Sequence, residues 1–423
     1  MLLKVNLWGE LLGALDYRER TGQTYFEFNP EFDLDTCNVA PILMPAGAAA
    51  GTVYGPYHAE SHPGYDGLPP MLADALPDHF GNEVLRKWLH ETARSWSDFH
   101  VGKRLSYVGA RGMGALEFEP GMMDDAPEDD QLEVAKLAEL SNQIASKGDF
   151  PEQEQTNVLQ KWADSAVSAG GARPKATISI NMKDGRVIQS NRHREGFTPV
   201  IIKFDEPSTQ NPEEGSGRGQ VEYIYHRMAT EAGIDMTRSG LIKRDGLRHF
   251  ITQRFDRTAT GEKLHAQTLA AIAGLPHHLV HDYEEAFKVL NALGLPYSAL
   301  VQQFTRMVFN LLSSNTDCHT KNIGFLMNRE GQWSLAPAYD LTFPRTIRKG
   351  WGAPQAMSIN GKREGIELHD VLEVAKRHGI KRPKAIIERV ETALRLWPTL
   401  ADRYKLNQHA STIIPTHFQR LLF

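Results

Sequence analysis

The chain has 423 residues, 41% apolar and 23% charged, which is too much for one ordinary core and suits two or three globular domains. A formal charge of -5 leaves no basic footprint for autonomous nucleic-acid binding, so any DNA contact is expected to go through a partner. Cys37 and Cys318 lie far apart with no metal-ligand partner at short spacing, and the longest apolar stretch, PILMPAGAAAG, is too short and too broken to span a bilayer; a reduced, cytoplasmic protein is expected.

Residues 1–118 read as strand-rich. LKVNLWG and TYFEFNP alternate apolar and polar residues, NEVLRKWLHETARS has helical periodicity, and GALEFEP ends the stretch as a strand. The opening MLLKVNLWGELLG reads as a single strand interrupted at Glu10, not as a signal peptide. EPGMMDDAPEDDQLE then gathers carboxylates around a proline, as a solvated linker does, and sets the first boundary.

From 132 a helical pattern in Leu132, Val134, Leu137 and Leu140 leads to the Gly-rich SAVSAGGARPKATISINM, whose end is a β-branched strand. FTPVIIKFDEP is the next strand, after the polar excursion KDGRVIQSNRHREG. The loop PSTQNPEEGSGRGQ precedes the helix VEYIYHRMATEAGI, stopped by Gly233, and HFITQRFDR is a further strand that closes this unit at 257. Residues 258–423 turn helical, with Leu300, Phe304, Met307, Val308 and Leu311 on a core face. A β-rich first half and an α-rich second half describe a two-lobed enzyme with a cleft between the lobes.

The chemistry concentrates in NTDCHTKN. Asp317 and Asn322 stand five residues apart, the interval at which a protein-kinase loop aims one carboxylate at the acceptor hydroxyl and one amide at Mg²⁺. Asp340, after the hairpin-like NREGQ, supplies a second Mg²⁺ ligand, while His319 and Lys321 inside the loop steady it or touch phosphate. A lone Asp after a helix is more often an Asx-turn or cap, so upstream elements decide. Gly170, Gly171, Ala172, Arg173, Pro174 and Lys175 can turn successive N–H groups toward an anion, without the Walker spacing of a P-loop. Lys203 alternates out of an apolar strand, where a kinase places its α/β-phosphate lysine, and Glu222 in the next helix is its natural ion-pair partner. Gln253, Arg254 and Phe255 end the following strand, where a hinge would meet adenine. The order along the chain is that of a kinase.

LPDHFGNEVL, LSYVGARGMGALEFEP, SAGGARPKATI, TPVIIKFD, QRFDR, NTDCHTKNIGFL and LAPAYDLTF together resemble the HipA-type serine/threonine protein kinases, toxins of bacterial type II toxin–antitoxin modules, over nearly the whole chain. The resemblance implies an α+β fold: a two-lobed, protein-kinase-like architecture with an N-terminal β-rich subdomain (1–118), an N-lobe with phosphate-binding loop and hinge (132–257) and an all-helical C-lobe with catalytic loop and metal site (258–423). It implies ATP and Mg²⁺ as cofactors, Asp317 as the catalytic aspartate, Asn322 and Asp340 as metal ligands, and Ser168 as a site of autophosphorylation that switches the kinase off. It further implies an aminoacyl-tRNA synthetase as protein substrate and a HipB-like helix-turn-helix antitoxin through which operator DNA is bound. Two residues depart from the pattern: Cys318 follows the catalytic Asp, and Gln253 stands where a hinge glutamate is common.

Two other readings compete. A phosphoinositide-type or small-molecule kinase also uses Asp-x-His-x-x-Asn, but no basic amphipathic patch points to a membrane substrate. A catalytically dead interaction module has no reason to keep Lys203, Asp317, Asn322 and Asp340 together. His277, His278 and His281 have spacings compatible with zinc but no assured fourth ligand, so they are expected in a polar loop near the lobe interface.

Overall fold

A computed structural model describes residues 1–49, 51–92, 94–122, 134, 136–139, 173–189, 193–206, 216–344 and 354–421. Ser168 and Gly170 to Ala172 lie outside the described residues, as do Leu132 and Leu140.

The first sheet has five strands in the order β4-β3-β2-β1-β5: β1 (Leu2–Leu7), β2 (Glu10–Arg18), β3 (Gln23–Phe28), β4 (Val53–Tyr57) and β5 (Leu116–Glu119). MLLKVNLWGELLG is therefore a hairpin, not one strand. Trp8 and Gly9 both take positive φ (52° and 84°), the backbone of a tight two-residue turn, and the Trp8 indole N–H donates to the Lys263 carbonyl at 2.7 Å. Leu3, Val5, Leu7, Leu15, Phe26 and Phe28 bury the inner face against α1 (His79–Glu91) and α2 (Val101–Val108).

The second sheet has five strands in the order β7-β6-β8-β10-β9: β6 (Lys175–Ile180), β7 (Val187–Ile188), β8 (Thr198–Lys203), β9 (Ser239–Arg244) and β10 (Leu247–Gln253). Across it lies α3 (Arg218–Glu231), whose first turn is tied to the end of β8 by Asp205, which accepts from the Ser216 hydroxyl at 2.7 Å and the Arg218 amide at 3.3 Å. Gly219 lets α3 lie directly on β10: a Cβ there would stand 2.1 Å from the Arg248 carbonyl oxygen.

The C-terminal part is not all-helical, contrary to the sequence expectation. Between 258 and 423 it carries a three-stranded sheet in the order β11-β13-β14 and a two-stranded pair, β12 with β15, formed by β11 (His265–Thr268), β12 (His281–Asp282), β13 (Gly324–Met327), β14 (Trp333–Leu335) and β15 (Met357–Ser358). GFLM is buried at all four positions, so it lacks the alternation that marks a strand in sequence. Around these strands pack α4 (Tyr283–Ala292), α5 (Tyr297–Leu312), α6 (Leu368–Arg377), α7 (Pro383–Leu394) and α8 (Trp397–Arg403). Phe304, Met307, Val308 and Leu311 of α5 are wholly buried and Leu300 partly so.

Two hydrophobic cores result. The first joins the N-terminal sheet and helices to β6, β7 and β8; the second joins α3 to the C-terminal helices. The N-terminal segment is also locked on by charge. Asp256, fully buried, takes Arg254 through both oxygens at 2.9 and 2.7 Å, Arg257 at 2.6 Å, and the Gly114 amide of the N-terminal segment at 2.8 Å, while Arg254 donates to the Gly112 carbonyl at 3.2 Å. No helix among the described residues is long and apolar enough to cross a membrane.

Candidate active site

β8 ends on Lys203, whose ammonium donates to Glu222 of α3 at 2.5 Å and to Asp340 at 2.7 Å. Burial opposes the charge on Lys203, but Asp340 and Glu222 outweigh it and raise its pKa. Burial likewise works against ionised Asp340, yet Lys203 and then Lys175 hold this carboxyl well below its ordinary range. Asp340 sits at φ 56°, a left-handed conformation that Asp tolerates, and the segment before it is stitched to the turn after α3 by the Ala338 amide donating to the Asp235 carbonyl at 2.8 Å. Lys175 is the direct cross-strand partner of Lys203 in the β6–β8 ladder and is buried; burial first, then Lys203, bring its pKa down to about 8.

α5 delivers the chain into the catalytic-loop candidate. The Asp317 carbonyl accepts from the His319 amide at 2.9 Å and from the Asn322 side-chain amide at 3.0 Å, and Thr320–Asn322 forms one 3₁₀ turn capped by the His319 ring. That bond fixes the Asn322 amide nitrogen and leaves its oxygen as the end available to a cation. The Asp317 side chain is solvent-accessible; the protein packed around it raises its pKa, His319 opposes this and Asp340 adds to it. Cys318 is buried in the second core, where burial pushes its thiol up to about 11.

Arg173, Lys175, Lys203, Glu222, Asp317, His319, Lys321, Asn322 and Asp340 meet in one cavity of about 300 Å³. Gln253 and Phe255 line its far side, where Phe255 stacks on Tyr339 with centroids 5.3 Å apart; the Gln253 amide is already taken by the Arg238 carbonyl at 2.9 Å. Arg254 is a correction to the hinge expectation: it is turned away from the cavity and consumed by Asp256. Lys321 does not stand free for phosphate either, since its ammonium donates to Asp78 at 2.7 Å. Pro174 is buried at the start of β6, and its carbonyl accepts from the Phe204 amide at 3.0 Å.

Sequence reasoning missed the wall supplied by the N-terminal segment: Met71, Asp74, Leu76, Asp78 and Met113. Asp74 accepts from the Thr268 amide at 2.7 Å and its hydroxyl at 2.9 Å, and burial raises its pKa. LPDHFGNEVL carries part of the family resemblance, but nothing in its composition ties Asp78 to a lysine 243 residues away. Of the histidines, His281 bonds the Pro276 carbonyl at 2.9 Å and His277 lies 5.4 Å, ring to ring, from His319.

Among the described residues no group of three or more His, Cys, Asp or Glu side chains could hold a metal ion. Asn322 and Asp340 offer hard oxygen donors on one wall, the partial set Mg²⁺ takes when phosphate oxygens and water complete its shell.

Two family models cover most of the chain: the HipA N-terminal domain matches residues 3–119 and the HipA-like C-terminal domain matches residues 167–397. A protein of Sinorhizobium fredii named "Putative kinase Y4dM" is 25% identical over 98% of this chain and 96% of its own length. One of Haemophilus influenzae named "Putative kinase" is 23% identical over 53% of this chain and 80% of its own length. Among solved structures, HipA of Shewanella oneidensis MR-1, determined with HipB and operator DNA, superposes with a TM-score of 0.66 at 16% identity, covering 98% of this chain and 94% of that one. By both domain models, and with the same fold from end to end, the chain belongs to the HipA family.

Proposed function

We infer that this protein is an ATP-dependent serine/threonine protein kinase of the toxin type, held in check by a small antitoxin. The observation that carries the reading is the meeting of the Lys203–Glu222–Asp340 ion triad with Asp317 and Asn322 in one cavity. Phosphoryl transfer needs positioning and charge stabilisation more than covalent chemistry, and these are the groups it needs.

Lys203 and Lys175 receive the phosphates; Asn322 and Asp340 would hold Mg²⁺, which would supply charge neutralisation. Asp317 accepts the hydrogen bond of the acceptor hydroxyl and takes its proton as the new oxygen–phosphorus bond forms and the β–γ bridge breaks, leaving ADP and a phosphoester. Phe255 and Tyr339, stacked on each other, offer the base an aromatic edge of the cavity. Phosphate on Ser168 would bring about two negative charges to the chain leading into Arg173 and Lys175, in competition with the phosphates of ATP. A translation target, an aminoacyl-tRNA synthetase, fits the toxin reading. The partner of the Shewanella protein, HipB on its operator, supports a HipB-like antitoxin here, with DNA contacted through it.

Incubation of purified protein with Mg²⁺-ATP, followed by mass spectrometry, is expected to place phosphate on Ser168 in the wild type and none in Asp317→Ala. Equal phosphate in both would sink the assignment of Asp317. Expression of the wild type is expected to arrest growth and of Asp340→Ala to permit it.

A further inference from the structure

Among the described residues, an ion pair joins the family's N-terminal domain to the loop that carries Asp317 and Asn322. Lys321 lies on the 3₁₀ turn between His319 and Asn322, and its ammonium donates to Asp78, the N-cap residue of α1 in the N-terminal segment, at 2.7 Å. Both side chains are about three-quarters covered, at 24% and 21% exposure, so the pair is shielded from bulk solvent. The same lysine is held at its other end: its carbonyl accepts the Tyr339 hydroxyl at 2.7 Å, and Tyr339 immediately precedes Asp340. A second carboxylate, Asp74, stands one helical turn before Asp78 in sequence and anchors Thr268, the residue whose strand pairs with Gly324 just beyond the loop.

We propose that Asp78 is a positioning residue for the metal–phosphate site: by fixing Lys321 it sets Asn322 and, through Tyr339, Asp340 at one separation, so that Asp78 completes the site by holding the loop and not by binding phosphate. The proposal rests on the kinase reading above. Its rival is that Lys321 leaves Asp78 to bind phosphate itself, in which case Asp78 competes with nucleotide. The two differ in sign. Loss of the Asp78 charge weakens Mg²⁺-ATP if the pair positions the loop, and strengthens it if the pair sequesters the lysine.

The test uses the full chain and a fluorescent ATP analogue, titrated with and without Mg²⁺. Asp78→Asn, Lys321→Met and the double variant are each expected to lose about tenfold in Mg²⁺-dependent affinity, the double no worse than either single, because one interaction is removed in all three. Asp78→Glu is expected to recover most of the loss, and thermal melts without nucleotide separate a lost fold from a lost position. Tighter binding by Asp78→Asn, or about a hundredfold loss in the double variant, overturns the positioning role while leaving the kinase reading intact. Wild-type protein that binds the analogue equally with and without Mg²⁺ overturns both.

Discussion

Lys175 and Lys203 face each other across the β6–β8 ladder, an arrangement that is unfavourable unless something anionic shares the space. Glu222 and Asp340 engage Lys203, which stays charged; Lys175, brought down to about 8, is the one whose charge depends on pH. It is protonated below that value and loses its proton as pH rises through it. Affinity for Mg²⁺-ATP is therefore expected to fall between about pH 7 and pH 9, by at most about tenfold per unit, and Lys175→Arg to flatten the profile because a guanidinium keeps its charge. A binding isotherm at each pH measures it. The residues of this centre were legible from spacing: Asp317 with Asn322, and a lysine emerging from an apolar strand. Cys318, a departure from the family pattern, gains its account only from packing. Asn315 donates to Asn310 at 2.8 Å and Asn310 to the Tyr283 hydroxyl at 3.1 Å, a buried chain in the same core as Cys318, the residue beside Asp317. Tyr283→Phe leaves the Asn310 amide without its acceptor and is expected to cost about 1–3 kcal/mol in chemical denaturation.

At the scale of elements, the site depends on how α3 rides on β10. Gly219 is the point of closest approach, and Glu222 follows it by one turn. Gly219→Ala drives a methyl into the Arg248 carbonyl, so we expect a loss of roughly 1–3 kcal/mol from overpacking, and weaker analogue binding as Glu222 lifts away from Lys203. Urea unfolding and the titration described above give the two numbers. The helix was readable from its pattern and Glu222 from its place after the strand lysine; the glycine was not, because RGQ reads equally well as loop and as helix start. The same limit hid the first hairpin. Its turn is Trp8–Gly9 instead of Asn-Gly, and no local signal announces a tryptophan at positive φ. Arg254 failed for a related reason: QRFDR continues the strand pattern without a break, although β10 ends at Gln253 and the side chain turns to a buried carboxylate.

For the whole molecule, Asp256 is the bolt. It joins two arginines to the Gly112–Gly114 turn, and burial of Asp256 is offset by Arg254 and Arg257, which pull its carboxyl well below the ordinary range. Removing one member of such a group leaves uncompensated buried charge, and Asp256→Ala is expected to cost about 3–5 kcal/mol, with hydrogen exchange rising first in residues 1–119. The cavity has a consequence of its own. Its walls are drawn from the N-terminal segment, the second sheet, β11, the loop between α5 and β13 and the segment after β14, stretches that are remote in sequence. A molecule seated among them acts as a removable crosslink. At a hundred times its dissociation constant it adds about 2.7 kcal/mol to the resistance of every stretch that unfolds with the site, so nucleotide content, as much as sequence, sets how long the N-terminal domain survives a protease.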